Sequence, residues 1–118
     1  MEQAVKQVEK AARYRQLLRQ VVHKQAKVPR RVDQAQLVPI CDDETGNYLL
    51  MRIGWDRRGR AHNILFHLRL IDEQVLIEWD GIERGISRDL IAAGISKADI
   101  QSASQNKISF PQTESLAA

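Results

Sequence analysis

Three histidines, one cysteine and a scatter of carboxylates are the side chains of this 118-residue chain best suited to catalysis or metal binding. Their spacing argues against both. His62 and His67 are five apart, which on a strand points them to opposite faces and denies them a shared metal. His23 falls in a basic segment and reads as solvated or structural. Cys41 has no second cysteine to pair with. It reads as a small buried hydrophobe, since a catalytic thiol needs a histidine brought beside it by the fold. A metal-dependent nuclease sets an acidic group two residues before a lysine to bind Mg²⁺ and position water. No Asp or Glu here has Lys two positions on. The nucleophile elbow, the phosphate loop and the dinucleotide fingerprint are all absent from the sequence. An enzyme would have to assemble its site from Asp56, His67, Asp80 and Glu83, which turn caps and solvated loops explain more simply. The expectation is a protein that is not an enzyme, with no cofactor, no metal and no small-molecule substrate.

Charge carries more information. The net charge is +3, but residues 1–31 hold nine basic and two acidic side chains, a local charge of +7. The remaining nine basic and thirteen acidic residues leave −4. Such a basic end can hold phosphate or an acidic protein surface. The candidate phosphate contacts are Lys6, Lys10, Arg13, Lys24, Lys27, Arg30 and Arg31. The plainer reading of the same stripe is the solvated face of a surface helix.

The elements that would carry these residues follow from periodicity. Residues 3–27 contain no Gly or Pro and are rich in helix formers, and Pro29 biases Val28 out of the helix. Ala4, Val8, Ala11, Leu18 and Val22 share one face of that helix, widened by Tyr14, Leu17 and Val21. Strands are expected at 34–41, 48–55, 62–70 and 74–79, with Pro39 either weakening the first or placing it at an edge. In the third, Ile64, Phe66, Leu68 and Leu70 alternate against Leu65, His67 and Arg69. In the fourth, Val75, Ile77 and Trp79 share a face. The turns fall at residues 42–47, 56–60, 72–73 and 80–81, and their shortness favours an antiparallel meander. A short helix follows, with Ser87 as its N-cap, Asp89 in its first turn and Gly94 at its end. A helical turn at 96–100 and a short strand near 108–110 complete the chain. Trp55 and Trp79 both end strands, reading as core-edge residues or, alternatively, as interface anchors.

The fold class is therefore α+β: a long N-terminal helix packed on an antiparallel β-meander of about four to five strands, with a short helix near the C-terminus. One domain, 1–118, is expected, with a basic helical extension at 1–13 and a polar segment at 102–118. No apolar run reaches the ~20 residues that span a bilayer, and none near the start has signal-peptide length. A cytoplasmic protein with no membrane association is expected. An exposed edge strand needs covering, and dimerisation is one route; a homodimer or a heteromer is expected.

Several stretches resemble the XisI family, the fdxN element excision controlling factors. They are Tyr14-Arg15-Gln16-Leu17-Leu18, then Tyr48-Leu49-Leu50-Met51-Arg52-Ile53-Gly54-Trp55-Asp56, then Arg60 and His67-Leu68. Asp80-Gly81, Glu83, Gly85-Ile86, Leu90, Gly94, Lys97 and Asp99-Ile100 follow in the family's order. The resemblance covers residues 14–101. It departs at 1–13, which precede the usual start, and at 101–110, which are more polar than the family's last strand. It implies an accessory protein in DNA-element excision in cyanobacteria, acting beside an XisH-like partner of nuclease-like fold. The recombination chemistry would belong to a separate recombinase. No catalytic residue is implied. Trp55, Asp56, His67, Trp79, Asp80 and Glu83 mark the family or offer an interface, while DNA is a further candidate partner through the basic helix.

Overall fold

The computed structural model describes residues 2–28 and 35–103. Helix α1 (Glu2–Ala26) is followed by strands β1 (Gln36–Asp42), β2 (Asn47–Asp56), β3 (Gly59–Ile71) and β4 (Gln74–Asp80). Helix α2 (Ser87–Ala93), a 3₁₀ turn (Lys97–Asp99) and strand β5 (Ile100–Ser102) complete the described chain. The strands lie in sequence order in one sheet. The first three pairings are antiparallel, as the short turns require, but β5 pairs parallel with β4. The sheet is thus mixed rather than a pure meander, because α2 and the 3₁₀ turn return the chain to the start of β4 before β5 begins. β1 is an edge strand, as Pro39 suggests. Arg30, Arg31, the expected start of β1 at Gln34 and the expected strand at 108–110 lie outside the described residues.

One face of the sheet carries the core. Tyr48, Leu50, Phe66, Leu68, Val75 and Ile77 pack against Tyr14, Leu18, Val21 and Val22 of α1 and against Ile86, Leu90 and Ile95. Burying a side chain the size of Phe66 contributes ~3 kcal/mol. The start of α1 departs from the expected stripe. Val8 is 66% exposed. The helix meets the β3–β4 turn at Lys10, whose ammonium lies 3.7 Å from Glu73. Val5, a turn before Val8, is exposed as well.

A polar lock fastens α1 to the C-terminal elements. Asp99 is only 8% exposed. Its Oδ2 accepts from the Tyr14 hydroxyl at 2.6 Å and lies 2.8 Å from the Lys10 ammonium. Its Oδ1 accepts from Gln74 at 3.3 Å. The Ser96 amide in turn donates to the Tyr14 hydroxyl at 3.2 Å. Burial pushes the Asp99 carboxyl up, but the bonds from Lys10, Tyr14 and Gln74 outweigh it and hold it below its ordinary value. The same bond to Asp99 raises the Lys10 ammonium.

Two bulges set which side chains face where. The β2–β3 register shifts between Leu50 and Met51, so Leu65 is the extra residue of β3. The β3–β4 register shifts between His67 and Leu68, so Glu78 is the extra residue of β4. Strict alternation placed Trp79 with Val75 and Ile77, and Ile64 with Phe66. The bulges move Trp79 and Ile64 to the opposite face. Gly81 is pinned beside the first bulge, its amide donating to the Leu65 carbonyl at 2.6 Å. A Cβ there would lie 2.6 Å from that same oxygen, so only glycine fits.

α2 starts differently from the expected pattern. Ser87 is its first helical residue, the cap position is Ile86, and no side chain caps the end. Asp80 takes over part of the role, accepting from the Ile86 amide at 3.0 Å and the Ile82 amide at 3.1 Å. Gly94 ends the helix in the left-handed conformation at φ 116°.

Candidate interaction surface

The second face of the sheet is built from the same strands as the core. On β2, Tyr48 and Leu50 turn toward α1, so by alternation Leu49, Met51 and Ile53 turn away. Register places His67, Ile64 and His62 of β3 opposite them. Val38 and Ile40 of β1 lie opposite Met51 and Leu49. Trp79 of β4 lies opposite His67. These apolar residues are half-buried or exposed, in contrast to the sealed side. Met51, His62, Ile64, Leu65 and Trp79 line a groove of about 560 Å³.

Both tryptophans are surface residues. Trp55 is 57% exposed and Trp79 59%, so the core-edge reading does not hold for either. Trp55, one residue from the end of β2, lies opposite Arg60, whose guanidinium sits 5.7 Å from the indole centroid. Trp79 lies one residue from the end of β4, beyond the Glu78 bulge.

His62 and His67 also share this open face, not opposite faces, because the Leu65 bulge inverts the alternation between them. They pair with Ile53 and Leu49, about 13 Å apart along β2, too far to hold one metal ion. Among the described residues no group of His, Cys, Asp and Glu could hold one. His67 Nε2 lies 2.8 Å from Asn47 Oδ1. Burial depresses the His67 imidazolium, opposed by Glu78 and reinforced by Arg69.

The remaining candidates are dispersed. Asp56 lies at the β2–β3 turn, roughly 20 Å along β2 from Leu49, the partner of His67. Its carboxylate accepts from Arg52 at 2.9 Å and from the Arg58 amide at 2.8 Å, and those bonds lower it below its ordinary value. Asp80 caps the loop before α2, while Glu83 is exposed on that loop. Strand geometry therefore does not gather Asp56 with His67 and Asp80. Cys41 is half-buried at the edge of the core, and its burial raises the thiol. On α1, Lys6, Arg13 and Lys24 are exposed, as is Lys27 just after it, whereas Lys10 is held by Asp99 and Glu73. Arg13 stacks 5.6 Å from the Tyr14 ring centroid.

Sequence reasoning missed the groove residues Met51 and Ile64. The signal was present: residues 48–51 are an unbroken apolar run, the mark of a strand with two apolar faces. It missed Asp99 because a buried carboxylate depends on partners 85 and 25 residues away.

A long helix covering one side of a mixed sheet, with the other side apolar and open, defines an α+β protein of one-sided architecture. No described helix is long and apolar enough to cross a membrane. The chain belongs to the XisI family, whose model, described as XisI protein, matches residues 8–114. Two solved structures from Anabaena variabilis are similar to it. One is a XisI-like protein, 20% identical with a TM-score of 0.69, aligned over 77% of this chain and 84% of that one. The other is described as the fdxN element excision controlling factor XisI, 26% identical with a TM-score of 0.64, aligned over 78% of this chain and 84% of that one. No curated relative matches.

Proposed function

We propose that this chain is a non-catalytic controlling factor in excision of a DNA element, acting in the cytoplasm as a single domain. It works by binding an XisH-like protein of nuclease-like fold through the open sheet face. The observation that carries the reading is the exposed Trp79 beside the apolar groove of Met51, Ile64 and Leu65. Exposed aromatics over a groove are the usual anchors of protein interfaces. The relative described as an excision controlling factor supports the biological setting.

A tagged chain is mixed with a purified XisH-like protein, with nuclease present to remove bridging nucleic acid. The expected result is a complex that survives moderate salt. Trp79→Ala is expected to weaken it at least ~30-fold, the scale of a tryptophan hot spot. A complex that forms but is indifferent to Trp79→Ala and to Ile64→Lys would refute the face assignment. Self-association with no heteromer would make the face a homodimer contact instead.

The second reading is direct, largely sequence-independent DNA binding by α1. The exposed Lys6, Arg13, Lys24 and Lys27 favour it. It predicts affinity that falls steeply with salt and is lost when these four are replaced by Gln.

A further inference from the structure

The β2–β3 hairpin tip is a second exposed feature, at the end of the sheet face that carries the Trp79 groove. Two residues, Arg57 and Arg58, connect the strands, and both are exposed. Gly59 reopens the ladder at φ 123°. Asp56 braces the turn through the Arg58 amide and Arg52. Arg60 is fixed as well: its Nη1 donates to the Gly54 carbonyl at 2.9 Å while its guanidinium stacks on Trp55. The result is an indole with one guanidinium over its ring and two further exposed arginines in the adjoining turn.

We propose that this tip is a contact for single-stranded nucleic acid, with Trp55 as the base-stacking platform and Arg57, Arg58 and Arg60 facing the phosphates. An indole stacks on any base, and guanidinium adds to that stacking, so binding tolerates sequence. A duplex keeps its base faces stacked inside and offers Trp55 nothing to cover. Seating Trp55 in an apolar protein pocket would strip water from three neighbouring guanidiniums, a cost that phosphate oxygens offset and an apolar wall does not.

The chain contains two tryptophans, so Trp79→Phe makes Trp55 the single indole reporter. The full-length variant is titrated at low salt with a fluorescently labelled oligo-dT of about 12 nucleotides, following both anisotropy and indole quenching. The expected result is saturable binding with quenching of Trp55. Trp55→Ala is expected to weaken binding roughly 5- to 100-fold, as loss of one base stack does. Replacing Arg57 and Arg58 by Gln is expected to reduce the salt slope by about 1.4, or ~0.7 per phosphate contact on a single strand. Circular dichroism melts check that each variant folds. Three results overturn the proposal: no binding, binding without quenching of Trp55, or equal competition by polyglutamate. Binding abolished by Gln at Lys6, Arg13 and Lys24 but untouched by Trp55→Ala would assign the contact to α1 and also overturn it. Complex formation with an XisH-like protein does not enter these readouts, so the two proposals fail independently.

Discussion

The two faces of the sheet are made of similar residues and meet different surroundings. On the α1 side, Tyr48, Leu50, Phe66 and Leu68 are sealed completely. On the other, Leu49, Met51, Ile53 and Ile64 occupy neighbouring positions on the same strands and stay partly in water. Apolar character alone therefore does not say which face is the core. The polar lock does: Asp99, Tyr14, Lys10 and Gln74 are on the helix side and fasten α1 in place. No described helix is packed on the opposite face; Leu76 is buried there, but Leu49, Met51, Ile53, Ile64 and Trp79 stay partly in water and are available to a partner.

The largest effect that would break this contrast is in the core. Phe66→Ala is expected to cost ~3–5 kcal/mol by creating a cavity under α1. Urea unfolding would measure it. Asp99→Asn comes next, at roughly 2–3 kcal/mol, because it uncouples a mostly buried carboxylate from Lys10 and Tyr14. Gly81→Ala is expected to cost ~1–3 kcal/mol, since the Leu65 carbonyl must move to admit a methyl group. Ile64→Ser, on the open face, is expected to change stability by less than ~1 kcal/mol. A loss from Ile64→Ser equal to that from Phe66→Ala would show that the open face is sealed and the contrast is wrong.

Acidification sharpens the same comparison, because His67 lies on the open face and Asp99 on the helix side. The depressed His67 stays neutral in the folded chain while the unfolded chain takes up a proton near pH 6.5. Its contribution is present above that value and is lost as pH falls toward the folded pKa. The depressed Asp99 contributes above about pH 3.9 and is lost as pH falls further, through its folded value. Melting temperature should therefore fall in two steps. His67→Gln should remove the upper step, and Asp99→Asn should shrink the lower, which the depressed Asp42 and Asp56 share.

Much of the fold was legible in the sequence. The Gly- and Pro-free run before Pro29 marked α1, the turn residues marked four strands within three residues of their described ends, and Gly94 marked the end of α2. The misses share a cause. A bulge adds one residue and inverts every later side chain, and neither Leu65 nor Glu78 announces one. The inversion turned Trp79 outward and brought His62 and His67 to one face. Val8 matched the helical stripe but is exposed, because periodicity does not say how far along a helix its partner reaches. The parallel pairing of β5 follows from the path of α2, a tertiary property. Of the candidate surface, both tryptophans were recognised as notable, but their exposure depended on what lies opposite them.

The most direct test of the open-face account is methyl NMR of the chain labelled at Met and Ile methyl groups, titrated with a purified XisH-like protein. The account predicts shifts or broadening concentrated at Met51, Ile53 and Ile64, with Ile86 and Ile95 in the core unchanged. Perturbation confined to the core isoleucines, or a complex that leaves Met51, Ile53 and Ile64 untouched, would contradict it.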